Sequence, residues 1–210
     1  VLWRHCFLTA CFARRLNKEL RLDYQGEEFA AGLLHDLGRI LIAVTMPEAF
    51  LQADKMDFIE DAELLPRERR VLELDHCGFG TAYAKQNRLP FSAIAAIRFH
   101  HQPVEESPDH RGILALVMVA DHLANHLQRG EAPETCTLEQ NVGMAYLAKT
   151  WTPERLAAFH RTLPALMTET ARAADGQSAP PKPRSGVMPT VKAPAPAKTN
   201  SSGVWGWLGG

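Results

Sequence analysis

The dipeptide His35-Asp36, set in Ala31-Gly32-Leu33-Leu34-His35-Asp36-Leu37-Gly38-Arg39-Ile40-Leu41, places an imidazole beside a carboxylate among leucines. Such groups are costly to bury unless a cation compensates them, and a metal ion is the usual compensator. His5, His76, His100, His101 and Asp121 lie in further segments with helical apolar spacing. Residues three and four apart share a helix face. On that spacing His5 falls on a stripe with Leu2 and Leu8, His76 with Leu72, His101 with Ile94 and Ile97, and Asp121 with Val117 and Met118. One buried histidine is an ordinary core hydrogen-bonding group. Five imidazoles and two carboxylates turned inward together imply a shared cation or one connected polar network. Histidine-rich ligation with carboxylates favours a divalent transition metal, iron, manganese or zinc, over calcium. Asp36 can bridge two ions, and a two-metal site suits attack on a phosphorus centre. Arg39, one turn after His35, is the cation placed to meet a substrate phosphate or an acidic partner, so Asp36 and Arg39 are the candidate catalytic residues.

Other residues of the same types read differently. His122 and His126 are one helical turn apart, a spacing that can chelate zinc, but they sit beside Asn125 and Gln128 on what reads as the wet face. His110 and His160 read as surface residues. Cys6 and Cys77 each adjoin a candidate ligand, and neighbours on a helix point about 100° apart, so both read as small buried hydrophobes. Gly78 and Gly80, in a helical pattern, point to close helix packing near His76.

The elements that must position these groups are helices. Apolar residues recur at three- and four-residue spacing up to about residue 174, and no useful stretch alternates as a strand would. Helices are expected at about 1–20, 26–46, 66–87, 91–101, 110–128, 138–150 and 153–174. Pro47 closes the second, Pro90 separates the third and fourth, and Thr152-Pro153 opens the last. The organisation expected is one all-α domain over 1–174 and a disordered tail over 175–210. From Gly176 the chain is rich in Pro, Ala and Lys and ends in Val204-Trp205-Gly206-Trp207-Leu208. The net charge is −1, made of a body at −5 and a tail at +4. Neither a nucleic-acid-binding field nor an acidic solvating tail is present. Cys6, Cys11, Cys77 and Cys136 have no CxxC spacing, and no signal peptide or membrane-length apolar run occurs; a soluble protein of the reducing cytoplasm, with no membrane partner, is expected. Val1-Leu2-Trp3 already belongs to an apolar periodic stretch, so the chain reads as one whose beginning is missing.

The order His5, Leu33-Leu34-His35-Asp36-Leu37-Gly38-Arg39, Asp75-His76-Cys77-Gly78-Phe79-Gly80, Leu89-Pro90, His100-His101-Gln102-Pro103 and Ala120-Asp121 resembles the HD superfamily of metal-dependent phosphohydrolases. Within it, the similarity is greatest to the HDOD domain (HD-related output domain) of bacterial signalling proteins. It covers about residues 1–128. The resemblance implies a helical bundle, a further helical half ahead of Val1, a metal centre on His5, His35, Asp36, His76, His100, His101 and Asp121, and signalling proteins as partners. It also implies a regulatory, non-enzymatic module, with a phosphodiesterase-like hydrolase acting on a nucleotide or cyclic dinucleotide as the alternative. Two departures from the related HD-GYP phosphodiesterases bear on turnover: the histidine pair continues into Gln102-Pro103 without a glutamate or a Gly-Tyr-Pro signature, and Arg39 stands where lysine is usual. Val1 replaces the glutamate of three-metal sites, so two ions at most are expected. The tail, with Trp205 and Trp207 as anchors, is a candidate partner-binding segment.

Overall fold

The structure, a computed structural model, describes residues 1–59, 62–102, 104 and 109–177. It is all helical, with no strand among the described residues. In chain order the helices are α1 (Leu2–Leu20), α2 (Glu27–Leu34), α3 (Leu37–Thr45), α4 (Pro47–Ala53), α5 (Leu64–Leu72), α6 (His76–Gln86), α7 (Phe91–Phe99), α8 (Arg111–Gln128), α9 (Val142–Leu147) and α10 (Pro153–Gln177), with a 3-10 turn at Pro133–Thr135.

Helix α8 is the axis of the bundle. Every residue from Ile113 to Asp121 is buried, because the segment is apolar on all sides and other helices surround it. The main core joins Phe12 and Leu16 of α1, Leu116 and Leu123 of α8, and Leu163 and Met167 of α10. A second cluster of Leu2, Ile42 and Phe50 ties the start of α1 to α3 and α4.

Several boundaries differ from the sequence expectation: the helix expected over 138–150 is only Val142–Leu147, and three of the other differences have a local reason. The helix expected over 26–46 is two helices, broken at His35-Asp36, and Asp36 takes a non-helical φ of −96° and ψ of 20°. The helix expected over 66–87 is interrupted after Leu72. There Glu73 adopts a left-handed φ of 64°, and the Asp75 side chain caps α6 by accepting from the Gly78 N–H at 2.8 Å. Pro47, expected to end a helix, begins α4, where its missing N–H is harmless. Helix α10 runs to Gln177, three residues past its expected end. The expected tail with its Trp205 and Trp207 cluster lies from residue 178 on, outside the described residues.

Two close helix crossings bear on the site. A Cβ on Gly38 would collide with the backbone carbonyl of His76, and one on Gly80 would lie 2.9 Å from the Gly38 nitrogen. Helices α3 and α6 therefore approach backbone to backbone through a pair of glycines. Gly32 likewise lets α2 lie against α1, where a Cβ would sit 3.0 Å from the Ala10 Cα.

Candidate metal centre

The seven residues singled out as ligands come from α1, the α2–α3 break, the first turn of α6, the end of α7 and the middle of α8, and they converge. His5, His35 and His76 are fully buried, and Asp36, Asp121 and His100 nearly so; His101 is half-buried. Four of the imidazoles are held by the nitrogen that faces away from the cluster. His35 Nδ1 donates to the Gly32 carbonyl at 2.8 Å and His100 Nδ1 to the Ala96 carbonyl at 2.9 Å. His5 Nδ1 lies 2.7 Å from Gln128 Oε1, and His76 Nδ1 lies 2.7 Å from Glu68 Oε2. These oxygens accept, so each Nδ1 carries a proton and each Nε2 turns inward, where the neutral ring would present a bare lone pair. Metal-ligating histidines characteristically have such outward anchors.

The inward atoms form two groups that share Asp36. On one side His5 Nε2 is 2.9 Å and His35 Nε2 3.3 Å from Asp121 Oδ1, the two ring nitrogens are 3.2 Å apart, and Asp36 Oδ2 is 3.6 and 3.8 Å from them. On the other side Asp36 Oδ1 is 3.6 Å from His76 Nε2 and 3.5 Å from His100 Nε2, which are 3.4 Å apart. The ligand atoms of His76, Cys77, His100 and His101 also lie within 4.8 Å of one another. Atoms bound to one ion at about 2.0 to 2.3 Å are separated by about 2.9 Å at right angles and about 3.4 to 3.6 Å at tetrahedral angles. The observed spacings lie close to that range, and lone pairs of neutral nitrogens facing one another this closely repel unless something positive lies between them. The donor set therefore fits divalent ions: His5, His35, Asp36 and Asp121 for one, and Asp36, His76, His100 and His101 for the other.

Burial would lower His35 and His76, but Asp36 and Asp121 raise the first, and Cys77, Glu68 and Asp36 raise the second well above the ordinary imidazole value, so positive charge is drawn to these inward nitrogens. Burial would push the Asp36 carboxyl up, but the Arg39 guanidinium and the surrounding imidazoles outweigh it and hold it well below the usual carboxylate range. Asp121 is depressed in the same way, burial being overcome by His35 and His5. Burial, with His100 and His76 nearby, keeps His101 well below the ordinary imidazole value, so this ring is neutral and able to ligate.

Arg39 departs from the sequence expectation. It is buried, donating from Nη1 to Asp36 Oδ2 at 2.8 Å and from Nε to Asp54 Oδ2 at 2.8 Å. Both faces of its guanidinium fork are thus taken by carboxylates, so it orients Asp36 and is not turned to a substrate phosphate. His126 is also corrected: it is buried, not on a wet face, with Nε2 accepted by the Ala132 carbonyl at 2.8 Å and Nδ1 2.8 Å from Glu131 Oε2. His122 reaches the Thr137 carbonyl at 2.9 Å, so the two form no metal pair. Cys77, read as pointing away, has its Sγ 3.4 Å from His76 Nε2. Sequence reasoning passed over Glu68, Gln128, Asp54 and Asn125. Asn125 donates to Asp121 Oδ1 at 3.2 Å from one turn along α8. A cleft of about 500 Å³ opens onto the cluster, lined among others by His100, His101, Asp121, His122, Thr137 and Gln140.

An all-helical bundle with an inward-facing His/Asp cluster of this kind is the architecture of HD-superfamily domains. Residues 1–103 match the family model for the HDOD domain, and that part of the chain belongs to the HDOD family. Two solved structures share the fold. An HDOD domain protein of unknown function from Geobacter sulfurreducens superposes with a TM-score of 0.64 at 23% identity, over 83% of this chain and 61% of that one. A candidate phosphohydrolase from Shewanella amazonensis SB2B superposes with a TM-score of 0.56 at 19% identity, over 82% of this chain and 63% of that one. An uncharacterized protein of Treponema pallidum (strain Nichols) is 25% identical over 133 residues, which are 63% of this chain and 26% of that protein. The chain thus spans about a quarter of that curated relative's length. No helix among the described residues is long and apolar enough to cross a membrane.

Proposed function

We propose that this chain is a metal-binding signalling domain that acts through its protein surface and does not hydrolyse phosphodiesters. His5, His35, Asp36 and Asp121 would hold one divalent transition-metal ion, and Asp36, His76, His100 and His101 a second. The reading rests on the four Nδ1-anchored imidazoles whose Nε2 atoms converge on Asp36. When bound, such a pair supplies Lewis-acid polarisation. The residues around it supply positioning: Arg39 orients Asp36, and Gln128 and Glu68 orient the rings of His5 and His76. The observation that weighs against turnover is the engagement of Arg39 by Asp36 and Asp54. None of the described residues lining the cleft is Arg or Lys, and a phosphodiester substrate needs cationic positioning groups as well as metal.

The test is elemental analysis of chelator-free protein together with an assay on bis(p-nitrophenyl) phosphate and cyclic di-GMP with added manganese. One to two transition-metal ions per chain, no product, and an Asp36→Ala protein without metal are expected. Less than one ion per chain refutes the metal reading. The cleft favours the alternative, a metal-dependent phosphohydrolase, because it brings solvent to His100, His101 and Asp121; product release that disappears in Asp36→Ala would establish it. The tail beyond Gln177, carrying Trp205 and Trp207, is the segment we assign to a partner signalling protein in the cytoplasm, where free cysteines persist. Deleting residues 178–210 should leave the melting curve unchanged and weaken that association.

A further inference from the structure

Cys77 has no part in the metal centre so far described, yet its sulfur is as near to it as the assigned ligands are to one another. It is the second residue of α6, nearly fully buried, with Sγ 3.4 Å from His76 Nε2 and within 4.8 Å of the ligand atoms of His100 and His101. A sulfur at about 2.3 Å and a nitrogen at about 2.05 Å from one tetrahedral ion are separated by about 3.6 Å. The observed spacing is close to that value. The neighbouring His76 Nε2 to His100 Nε2 distance of 3.4 Å matches the corresponding figure of about 3.4 Å for two nitrogens.

We infer that Cys77 is a thiolate ligand of the ion held by His76, His100 and His101, which gives this side of the centre a soft, zinc-selecting donor that the other side lacks. Coordination would replace the S–H bond by an S–metal bond, with the proton released to solvent. Burial, with Asp75 and Asp36 nearby, pushes the free Cys77 thiol up while the His76 ring opposes this, so it is the ion that would hold the sulfur as thiolate. Charge balance favours that thiolate. Asp36, Asp54, Glu68 and Asp121 are the buried carboxylates that touch the inward rings or Arg39, itself buried; with one thiolate added, two divalent ions would leave the whole group neutral. The opposite side, with His5, His35, Asp36 and Asp121, offers only nitrogen and oxygen and suits manganese or iron.

The inference rests on the metal-centre reading, and cobalt substitution of the full chain separates the two. Stripped protein titrated with cobalt(II) should develop visible ligand-field bands and, in the near ultraviolet, a sulfur-to-cobalt charge-transfer band. In Cys77→Ser the near-ultraviolet band should be lost while cobalt remains bound, and in Cys6→Ser it should persist. X-ray absorption of the zinc-loaded wild type should show a sulfur shell at about 2.3 Å, a readout that needs no variant to fold. Bound cobalt without the near-ultraviolet band, or a band that follows Cys6 or Cys136, overturns the role of Cys77 and leaves the centre standing. No cobalt uptake overturns both.

Discussion

Glu68 is buried, 2% exposed, and one of its oxygens serves His76 twice: Oε2 accepts from the backbone N–H at 2.9 Å and from the ring Nδ1 at 2.7 Å. It thereby satisfies a backbone donor of the first turn of α6 and fixes which ring nitrogen faces Asp36. Glu68→Gln keeps the volume and one accepting oxygen but removes the charge. A hydrogen bond to a charged group contributes about 1.5 to 3 kcal/mol and a neutral one about 0.5 to 1.5 kcal/mol. The substitution should therefore cost about 1 to 1.5 kcal/mol of ring orientation and basicity, or roughly tenfold in affinity at 1.4 kcal/mol per decade. That matches the lower end of the roughly 10- to 100-fold losses that follow removal of such anchors. The effect should be confined to one side, because Glu68 touches His76 and none of His5, His35 or Asp121 among the hydrogen bonds described. The assay is a two-site chelator-competition titration with zinc and manganese on stripped protein, alongside the metal-free melting temperature. One constant should weaken about tenfold with the other within twofold. Equal weakening of both would mean that Glu68 acts through the fold, and no change would remove it from the centre.

Gly38→Ala should be among the most damaging small substitutions, since its Cβ meets the His76 carbonyl and the Gly80 backbone, neither of which can swing aside. Overpacking of this sort costs about 1 to 3 kcal/mol, or roughly 2 to 4 °C of melting temperature per kcal/mol in a chain this size, read by circular dichroism on metal-free protein. Gly78→Ala, whose Cβ meets only the movable Leu74 side chain and the Asp75 carboxylate, should stay within about 1 kcal/mol of wild type. Chelation should lower the melting temperature of the native protein by roughly 5 to 10 °C relative to metal at a hundred times its dissociation constant, where linkage supplies about 2.7 kcal/mol; an unchanged melt would argue that no ion is bound in the folded state. His126→Ala should lose about 0.5 to 1.5 kcal/mol with its hydrogen bond to the Ala132 carbonyl, which keeps Thr135 as a donor, with metal stoichiometry by elemental analysis unaltered.

Much of the arrangement was legible in the sequence because it is local. Helical periodicity gave the all-α class, and polar residues on apolar stripes marked the inward-facing set. The orienting residues were harder, since their partners are remote: Gln128 meets His5 across 123 residues, and alone its amide looks like an ordinary wet side chain. A signal for Glu68 was present and unread, because Leu64, Glu68 and Leu72 are successive positions on one helix face, a carboxylate in the middle of an apolar stripe. Asn125, one turn after Asp121, and Arg39, one turn after Asp36, were likewise readable as i,i+4 and i,i+3 partners. Cys77 was misplaced because the 100° rule describes only the direction in which side chains leave the helix axis. That offset does not fix where a long side chain ends, and the His76 ring reaches far enough for its Nε2 to lie 3.4 Å from Cys77 Sγ.

The break between α2 and α3 aims His35 and Asp36 at one point. In an uninterrupted helix these neighbours would diverge by about 100°. Here His35 ends one helix with its ring tied back to Gly32, while Asp36 opens the next and reaches His5 and His35 with one oxygen, His76 and His100 with the other. Gly38 brings α6 close enough for that second reach, and Arg39 holds the carboxylate from behind. The group then contains more buried negative charge than Arg39 can balance, and only protons on the imidazoles or metal ions can make up the difference. Protonating neighbouring rings sets like charges about 5 Å apart, His5 and His35 at 5.2 Å and His76 and His100 at 5.4 Å between centroids. At an effective dielectric of about 20 that repulsion is about 3 kcal/mol for each pair. A divalent ion between the same rings would turn each such contact into a shared bond, which supports the reading of this centre as a metal site.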